Sequence, residues 1–364
     1  MTEAQQSVLS RAPDSPAESG VLTPLQRRAY RMSQAATAGL FIGQKWLSAR
    51  LTRPVKSEQP IEGGFPSSEA VLADLRALFL RDLRNADAGL YPLPDDLLRR
   101  PLRALGGAAG FFADLPAVER RRHAGAGQEV FRQQRRPGLP RYYQQNFHFQ
   151  SDGWFSRSSA RRYDHQVEVL FTGGADAMRR QALVPLAKVL KGRSREDLRL
   201  LDLGSGSGGL LPFLKATYPR LRVLGLDLSL PYLQEAAARL SPYRRWQLLQ
   251  APAEDLPLAA ASIDAVTCVF LFHELPRKVR AQVVAEAARV LKPGGSFLLV
   301  DSIQKGDVAD YDGLLDYFPV AFHEPYYADY VRQDLEALFA KAGFRQESVE
   351  VAYFSRVMHL VKQG

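Results

Sequence analysis

A run of glycines between an apolar stretch and a helical stretch most constrains how this chain can fold. Residues 198–217 read LRLLDLGSGSGGLLPFLKAT, so that an apolar strand pattern leads into glycines and then into a helical pattern. Because glycine has no Cβ, the backbone can bend sharply there and approach a ligand closely, and the N-terminus of the following helix offers unpaired N–H groups. The segment predicts a strand, a ligand-binding turn and a helix, an arrangement that dinucleotide-binding folds share.

The chain that follows this turn alternates short β-rich runs with helical patterns, which predicts a parallel sheet covered by helices on both faces. Strands are predicted at 199–203, 222–226, 246–250, 265–270 and 296–301, followed by a tight antiparallel pair at 346–353 and 355–362. Helices are predicted at 208–216, 231–240, 277–291 and about 330–342. The expected fold class is therefore α/β, a doubly wound Rossmann-like sheet of seven strands with a helical N-terminal cap domain.

The composition along the chain divides it into four segments. They are a disordered tail at 1–22, a helical N-terminal region at 23–140, an aromatic lid with linker helices at 141–190, and the α/β domain at 191–364. Within the first 190 residues, helices are predicted at 24–51, from Ser68 as an N-cap to about 90, at 97–104, at 116–134 and at 164–190.

The positive charge of the chain lies in its N-terminal half. The net charge is +9, and residues 1–190 hold 27 Lys and Arg against 18 Asp and Glu, whereas residues 191–364 hold 21 of each. Such an asymmetry marks a surface for nucleic acid or anionic lipid, or simply a solvated basic face. The helix at 24–51 is basic and amphipathic, so that it packs on its own domain or, as the alternative, lies on a membrane surface. Its apolar face is expected to hold Tyr30, Met32, Ala36, Leu40, Phe41, Trp46 and Leu47.

Cysteine and histidine usage points to a reducing compartment without a metal centre. The single cysteine, Cys268, excludes an intrachain disulfide, and the six histidines are scattered without the spacing of metal ligands. No stretch of about 18 apolar residues is present, and the first 20 residues lack the basic and apolar pattern of a secretory signal. A cytoplasmic location and no bound metal are therefore predicted.

Two carboxylates limit which ligands the glycine turn can bind. Asp227 ends the second predicted strand, 23 positions after Gly204, where a carboxylate can accept both ribose hydroxyls of an adenosine in NAD or in S-adenosylmethionine. Asp202 lies two residues before the first glycine. A negative charge there repels a pyrophosphate but attracts the ammonium group of a methionine moiety.

At this point the chain resembles the class I S-adenosylmethionine-dependent methyltransferases, and most closely the branch that methylates small molecules such as quinones and sterols. The resemblance covers about 198–362. It rests on LDLGSGSGG (201–209), VLGLDLS (223–229), AEDLPL (253–258), SIDAVTCVFLFHEL (262–275) and EAARVLKPGGSFLLVDS (286–302). It implies S-adenosylmethionine as the cofactor and does not cover residues 1–140.

The resemblance also implies roles for individual residues of the cofactor site. The glycine turn with Asp202 is expected to contact the methionine part, Asp227 to hold the ribose, and Ala253 with Glu254 to border the adenine. The full predicted set is Asp202, Gly204, Ser205, Gly206, Gly208, Asp227, Ala253, Glu254 and Phe270. Pro252 stands where family members often have an Asp for the adenine amino group, which leaves that end of the site open.

The methyl acceptor is expected at the carboxyl edge of the sheet, where ligands of open α/β folds bind. The catalytic candidates are His273 and Glu274 after the fourth strand, His323 after the fifth, and His148 in the aromatic segment. At least one of these histidines is expected to act as a base at neutral pH, and which one stays open. The candidate substrate contacts are Tyr143, Phe149, Trp154, Tyr163, Tyr326 and Tyr327.

These observations predict methyl transfer from S-adenosylmethionine to a small, aromatic or lipophilic molecule. The alternative is an RNA or protein methyltransferase that uses the basic N-terminal half, although the sequence has no RNA-binding signature there. A non-catalytic binding protein with this fold and an NAD-dependent oxidoreductase are the remaining competitors. Nucleic acid is not expected as a partner, peripheral membrane contact is considered for 24–51, and the oligomeric state and the methylated atom stay open.

Overall fold

The computed structural model of the chain describes residues 20–55, 60–133 and 136–364. Residues 1–19 of the expected tail lie outside this part, whereas residues 20–22 are held in place. The backbone N–H of Val21 donates to the carbonyl oxygen of Asp87 at 2.9 Å, and the N–H of Leu22 donates to the Asp87 carboxylate at 3.0 Å. The last three residues of the predicted tail therefore pack on the helix that ends at Asp87, contrary to the prediction for 20–22.

Four helices form the N-terminal region: α1 (Pro24–Leu51), α2 (Ser68–Asp87), α3 (Arg100–Ala124) and α4 (Glu129–Gln133). A capping box starts α1, since the Thr23 hydroxyl accepts from the N–H of Gln26 and the Gln26 side chain accepts from the N–H of Thr23. The cap of α2 is Ser67 and not the predicted Ser68.

The two helices predicted at 97–104 and 116–134 are largely one. Helix α3 runs through Pro116, which the sequence pattern takes for the start of a new helix, and it ends at Gly125 with φ 59°. Glycine adopts this left-handed conformation without the steric cost that a side chain brings, and its N–H bonds the last carbonyls of the helix.

The helix predicted at 164–190 is instead three helices, α5 (Arg157–Leu170), α6 (Ala175–Arg180) and α7 (Leu183–Val189). The first break falls where Thr172 has φ 58° and Gly173 has φ 85°. A right-handed helix cannot continue through these positive φ angles, and the chain turns there.

The C-terminal half contains the expected seven-stranded sheet. Its elements are β1 (Arg199–Leu203), α8 (Leu211–Thr217), β2 (Arg222–Asp227), α9 (Leu230–Leu240), β3 (Trp246–Gln250), β4 (Ile263–Val269), α10 (Arg277–Val290), β5 (Leu291–Ser302), α11 (Asp312–Phe322), α12 (Tyr327–Tyr330), α13 (Leu335–Lys341), β6 (Phe344–Ala352) and β7 (Ser355–Lys362). The strand order is β3-β2-β1-β4-β5-β7-β6. Strands β1 to β5 are parallel, and β7 is antiparallel to both β5 and β6.

Alternate residues of the central strands face two hydrophobic cores, one on each side of the sheet. In β1, Leu201 and Leu203 belong to one core, and Leu200 belongs to the other. Leu75 and Leu78 of α2 pack into that second core, so the N-terminal helices share it with the sheet. The period of two along each strand explains why apolar runs located the strands well.

The stretch after β5 departs from the prediction. Helix α11 occupies part of what the sequence indicates as a loop, and the helix predicted at 330–342 is divided between α12 and α13. Helix α11 ends at His323, whose φ of 47° turns the chain back towards the sheet edge.

Candidate active site

The glycine turn lies between β1 and α8, as the sequence predicts, and three of its glycines have positive φ. The angles are 65° at Gly204, 54° at Gly206 and 84° at Gly208. A Cβ at Gly208 would meet Ala236 of α9 at 3.1 Å, so this glycine permits close packing of the helix. A Cβ at Gly206 would meet only Tyr232, at 4.0 Å, and would occupy space in the adjoining cleft.

Asp202 and Asp227 lie side by side at the carboxyl ends of β1 and β2 and line this cleft. The Thr267 hydroxyl donates to Asp202 Oδ1 at 2.7 Å, yet burial raises the pKa of Asp202 to about 6. Asp227 accepts from the N–H groups of Gly206 at 2.8 Å and Ser229 at 2.7 Å, and burial raises its pKa as well. Two buried carboxylates give this end of the cleft a strong preference for a cation and for hydroxyl donors.

The other end of the cleft is bordered by Ala253 and Glu254, at the position predicted for the adenine. The Tyr142 hydroxyl donates to Glu254 Oε1 at 2.5 Å, and this contact together with burial raises the pKa of Tyr142. Within the described residues, Glu254 Oε2 is buried and has no hydrogen-bond partner. One acceptor atom therefore remains for a ligand beside the position where Pro252 replaces the usual acid.

Aromatic side chains from 141–171 close over the cleft. Tyr143, Trp154 and Tyr163 line it. The ring of Trp154 packs edge-on against Tyr163 and against Tyr232, each with a centroid distance of 5.2 Å. The aromatic segment is thus a wall of the cleft and is joined to α9, rather than a separate surface.

A second cavity, of about 1680 Å³ including its open mouth, lies on the far side of Tyr163 and Phe270, which line both spaces. Phe270 holds a positive φ of 58° and stacks on Phe171 at 6.1 Å. The walls of the second cavity are mostly apolar, with Val167, Leu170, Phe171, Leu314, Leu315, Phe318, Ala321, Phe322, Tyr327 and Phe354 among them. Residues at and just after the C-terminal end of α1 also line it, namely Lys45, Ala49, Thr52 and Arg53.

A histidine–carboxylate pair faces this second cavity. His273 Nδ1 lies 2.6 Å from Asp301 Oδ1, and Asp301 also accepts the N–H of Phe272 at 2.8 Å. Burial disfavours the charged ring, but the contact with Asp301 outweighs it and the pKa of His273 rises to about 9. With Nδ1 held by Asp301, Nε2 is the atom that is free to exchange a proton with a ligand.

Of the other catalytic candidates, His148 and Glu274 lie close together, whereas His323 lies elsewhere. His148, in the 3-10 turn Phe147–Phe149, lines the second cavity, and its Nε2 lies 3.2 Å from Glu324 Oε1. Glu274 lines the cofactor cleft, and its carboxylate lies within 4.8 Å of the His148 nitrogen and the Glu324 carboxylate. His323 instead stacks on Phe149 at 5.3 Å and bonds Gln145, and it lines neither space.

Comparison with known proteins agrees with this architecture. The family described as "Methyltransferase domain" matches residues 200–295. A ubiquinone/menaquinone biosynthesis C-methyltransferase of Syntrophotalea carbinolica is 43% identical over 108 residues, which are 29% of this chain and 44% of that protein. The enzyme of the same name from Methylobacterium nodulans is 31% identical over 220 residues, which are 57% of this chain and 84% of that protein. The chain belongs to the class I S-adenosylmethionine-dependent methyltransferases.

A solved structure of a SAM-dependent methyltransferase from Aquifex aeolicus is also similar, with a TM-score of 0.39 and 21% identity, covering 57% of this chain and 98% of that one. The matched stretch is 44% of the length of the first relative. The match to the second relative covers 57% of this chain, so most of the long N-terminal region lies outside the similarity.

The cofactor of this methyltransferase is S-adenosylmethionine, and the cleft fits it. Asp202 would complement the ammonium group, Asp227 the ribose hydroxyls, and the unpartnered oxygen of Glu254 the adenine end. The bound cofactor supplies an electrophilic methyl group on a sulfonium. All the predicted cofactor contacts apart from Gly208 line the cleft, and Gly208 packs behind it.

Of the predicted substrate contacts, Tyr143, Trp154, Tyr163 and Tyr327 line one or both spaces. Phe149 and Tyr326 line neither, because Phe149 packs on His323 and Tyr326 lies beside Phe147. Sequence reasoning did not select Asp301, Glu324 or Tyr142. Asp301 could have been selected from the sequence, since it ends a predicted strand at the carboxyl edge of the sheet, where ligands bind.

Proposed function

We propose that this enzyme transfers the methyl group of S-adenosylmethionine to a small lipophilic molecule that carries a hydroxyl group. The observation that carries the proposal is the second cavity, whose mostly apolar walls meet the cofactor cleft at Tyr163 and Phe270. Binding sites for small molecules are typically apolar spaces with a few placed polar groups, and here those groups are His148 and His273.

In the proposed reaction, an electron pair of the acceptor attacks the methyl carbon. The bond between carbon and sulfur breaks, and its electrons return to sulfur, leaving S-adenosylhomocysteine. The acceptor loses a proton to His273 Nε2, the ring nitrogen that Asp301 leaves free. Because the pKa of His273 is about 9, only the minor neutral fraction of the ring accepts this proton at pH 7, and that fraction grows as the pH rises. Asp301 is then a positioning residue, because it fixes the ring orientation and stabilises the imidazolium that forms.

The relatives support an aromatic acceptor of the hydroquinone type, since two of them are named for ubiquinone and menaquinone biosynthesis. Loss of a proton from a phenolic hydroxyl makes both the oxygen and the ring carbons beside it nucleophilic. The same histidine can therefore act as the base for O-methylation or for C-methylation. The position of the acceptor ring in the cavity decides which atom receives the methyl group.

We also propose that α1 contacts a membrane from which such an acceptor enters. The face of α1 that packs on the protein is rich in polar residues, namely Ser33, Gln34, Thr37 and Gln44. Six apolar side chains are instead between 41% and 75% exposed: Leu25, Met32, Ile42, Trp46, Leu47 and Leu51. The predicted apolar face is thus wrong in part, because Met32, Trp46 and Leu47 point away from the core.

The position of this surface supports the proposal, because the last of these residues are close in the chain to Ala49 and Arg53, which line the second cavity. Arg50 lies over the Trp46 ring at 3.8 Å, which is typical of interfacial helices that combine basic and aromatic residues. No helix in the described part of the chain combines the length and apolarity needed to cross a bilayer. Contact would therefore be peripheral.

The basic clusters argue against the alternative of a polyanionic acceptor. Arg121 lies 2.6 Å from Glu129, and Arg122 lies 2.6 Å from Glu119. Arg161 is likewise 3.1 Å from Glu235. Arginines that are engaged by carboxylates offer less charge to an RNA backbone, whose binding depends on phosphate contacts.

The proposal is tested by incubating the enzyme with methyl-labelled S-adenosylmethionine and a cell extract divided into lipid, polar-metabolite, RNA and protein fractions. We expect the label in the lipid fraction. Label confined to RNA or protein would overturn the proposed acceptor class. Leu314→Trp, which fills the second cavity, is the matched variant: it should lower transfer while leaving S-adenosylhomocysteine affinity unchanged.

A further inference from the structure

Three side chains from separate segments meet where the two spaces adjoin. His148 comes from the aromatic segment, Glu274 from the turn Phe272–Glu274 after β4, and Glu324 from the residues that follow α11. Their ligand atoms all lie within 4.8 Å of one another. The sequence gives no sign of this group, because 126 and 50 positions separate its members along the chain.

Glu324 is the member whose chemistry is incomplete. It is 1% exposed, and among the described residues neither of its carboxylate oxygens has a hydrogen-bond partner: His148 Nε2 lies 3.2 Å from Oε1, but not in hydrogen-bonding geometry. Burying a carboxylate without hydrogen bonds is costly, and a second carboxylate, Glu274, lies beside it.

The surroundings supply little free positive charge. His273 Nε2 lies 4.0 Å from Glu274, but the ring of His273 is already paired with Asp301. Asp227 adds a further negative charge nearby. His148 contributes an imidazole, and a neutral imidazole nitrogen is a common metal ligand.

The backbone is held in a costly conformation at His148 and at the residue directly before Glu324. His148 has φ 53°, and His323, directly before Glu324, has φ 47°. Residues other than glycine rarely adopt the left-handed region, and such conformations cluster at functional sites. Here the left-handed residues set the directions of His148 and Glu324.

We propose that His148, Glu274 and Glu324 bind a divalent transition-metal ion. One imidazole nitrogen and two carboxylate oxygens suit Zn²⁺, Mn²⁺ or Fe²⁺, and two carboxylates balance the charge of the ion in this buried place. His148 lines the second cavity and Glu274 lines the cofactor cleft, whereas Glu324 lines neither. An ion held by the three would therefore lie where the two spaces adjoin.

The ion would bind the acceptor hydroxyl, and in this respect the inference rests on the proposed function. Held by these residues, the ion would favour the ionised form of the acceptor hydroxyl. That oxygen, or the ring carbon that it activates, would then take the methyl group while sulfur keeps the electrons of the broken bond. A metal lowers the pKa of a bound hydroxyl strongly, as it does for bound water.

The test uses the full chain after treatment with a chelator. Mn²⁺ is titrated in and its binding is followed by the loss of the free-ion signal in electron paramagnetic resonance, and Zn²⁺ is titrated by calorimetry. We expect one ion for each chain. Glu324→Gln and Glu274→Gln keep the shape of the side chain but remove its charge, and each should weaken binding at least ten-fold.

His323→Asn is the matched control, because His323 adjoins Glu324 but lies outside the group, and Asn tolerates positive φ. It should bind the ion as the wild type does. Thermal melts and S-adenosylhomocysteine binding show which variants are folded, and if one Gln variant is not, the other decides. No binding of either ion by the wild type at millimolar concentration, or unchanged binding by a folded Gln variant, would overturn the site.

The outcome is independent of the acceptor, because ion binding is measured without one. If an ion binds and the methyl label enters RNA, the proposed acceptor class fails and the ion site stands. If the label enters lipid and no ion binds, the reverse holds.

Discussion

Asp82 and Arg180 form a salt bridge that is about 99% shielded from solvent on both sides, with Arg180 Nη2 2.6 Å from Asp82 Oδ2. The carboxylate also accepts from the hydroxyls of Tyr30, at 2.5 Å, and Tyr91, at 2.9 Å. Asp82 lies in α2, Tyr30 in α1 and Arg180 in α6. This one carboxylate therefore ties the N-terminal helices to those that lead into the methyltransferase domain.

Asp82→Ala should destabilise the protein by about 3–5 kcal/mol, because it leaves a buried guanidinium without its partner. The urea midpoint of unfolding measures the loss. Arg220→Ala is the control, since it breaks the exposed pair of Arg220 and Glu196, whose side chains are 77% and 44% exposed. Exposed pairs contribute about 0–1 kcal/mol. Equal shifts for the two variants would contradict the anchoring role of Asp82.

Cofactor affinity should depend on pH through Asp202. Burial raises the pKa of Asp202 to about 6, and the cofactor ammonium favours the ionised carboxylate, so binding lowers that pKa. Affinity should be constant above about pH 7 and fall below pH 6, by up to about ten-fold for each unit. Calorimetry with S-adenosylhomocysteine between pH 5 and 8 measures this. Asp202→Asn should bind more weakly and lose the slope, and a slope that persists in this variant would assign it to another group.

Much of this site could be read from the sequence, and the part that could not has a physical reason. Apolar runs with glycine turns located β1, β3 and β7 to the residue, because strand burial has a short period that is visible in the sequence. The positions of Asp202 and Asp227 in the cofactor cleft could then be predicted, because the carboxyl ends of parallel strands lie at the same edge of the sheet.

The acceptor side depends on loops and on helix ends. In the sequence, His273-Glu274 and His323-Glu324 look like two similar pairs. In the structure, the two members of each pair make different contacts. Glu274 and Glu324 meet, His273 turns to Asp301, and His323 packs on Phe149. The φ angle at one residue decides which member of such a pair points inward, and no periodic pattern reports that angle.

His273 and Asp301 should act as one unit in catalysis. His273→Ala is expected to lower the rate of methyl transfer about 10²–10⁴-fold, the range for removal of a general base. Asp301→Asn should lower it too, because the ring loses the partner that orients it, with little change in S-adenosylhomocysteine affinity. Single-turnover rates with labelled cofactor measure both effects. A double variant should be no slower than the His273 variant, since residues that act together are not additive; additive losses would mean separate roles.

Membrane contact should depend on the exposed apolar residues of α1. Trp46→Glu combined with Leu51→Glu removes two side chains whose transfer from water contributes roughly 1.5–3 kcal/mol each, and it adds negative charge beside anionic lipid. The wild type should float with vesicles rich in phosphatidylglycerol and the double variant should remain with the unbound fraction. Leu80→Glu is the control, because Leu80 of α2 is 47% exposed, and this variant should float as the wild type does.

Half-molar salt should weaken flotation without abolishing it, because apolar burial persists when charges are screened. If the wild type itself does not float, the exposed apolar residues of α1 do not bind a membrane, and the acceptor must reach the second cavity from solution.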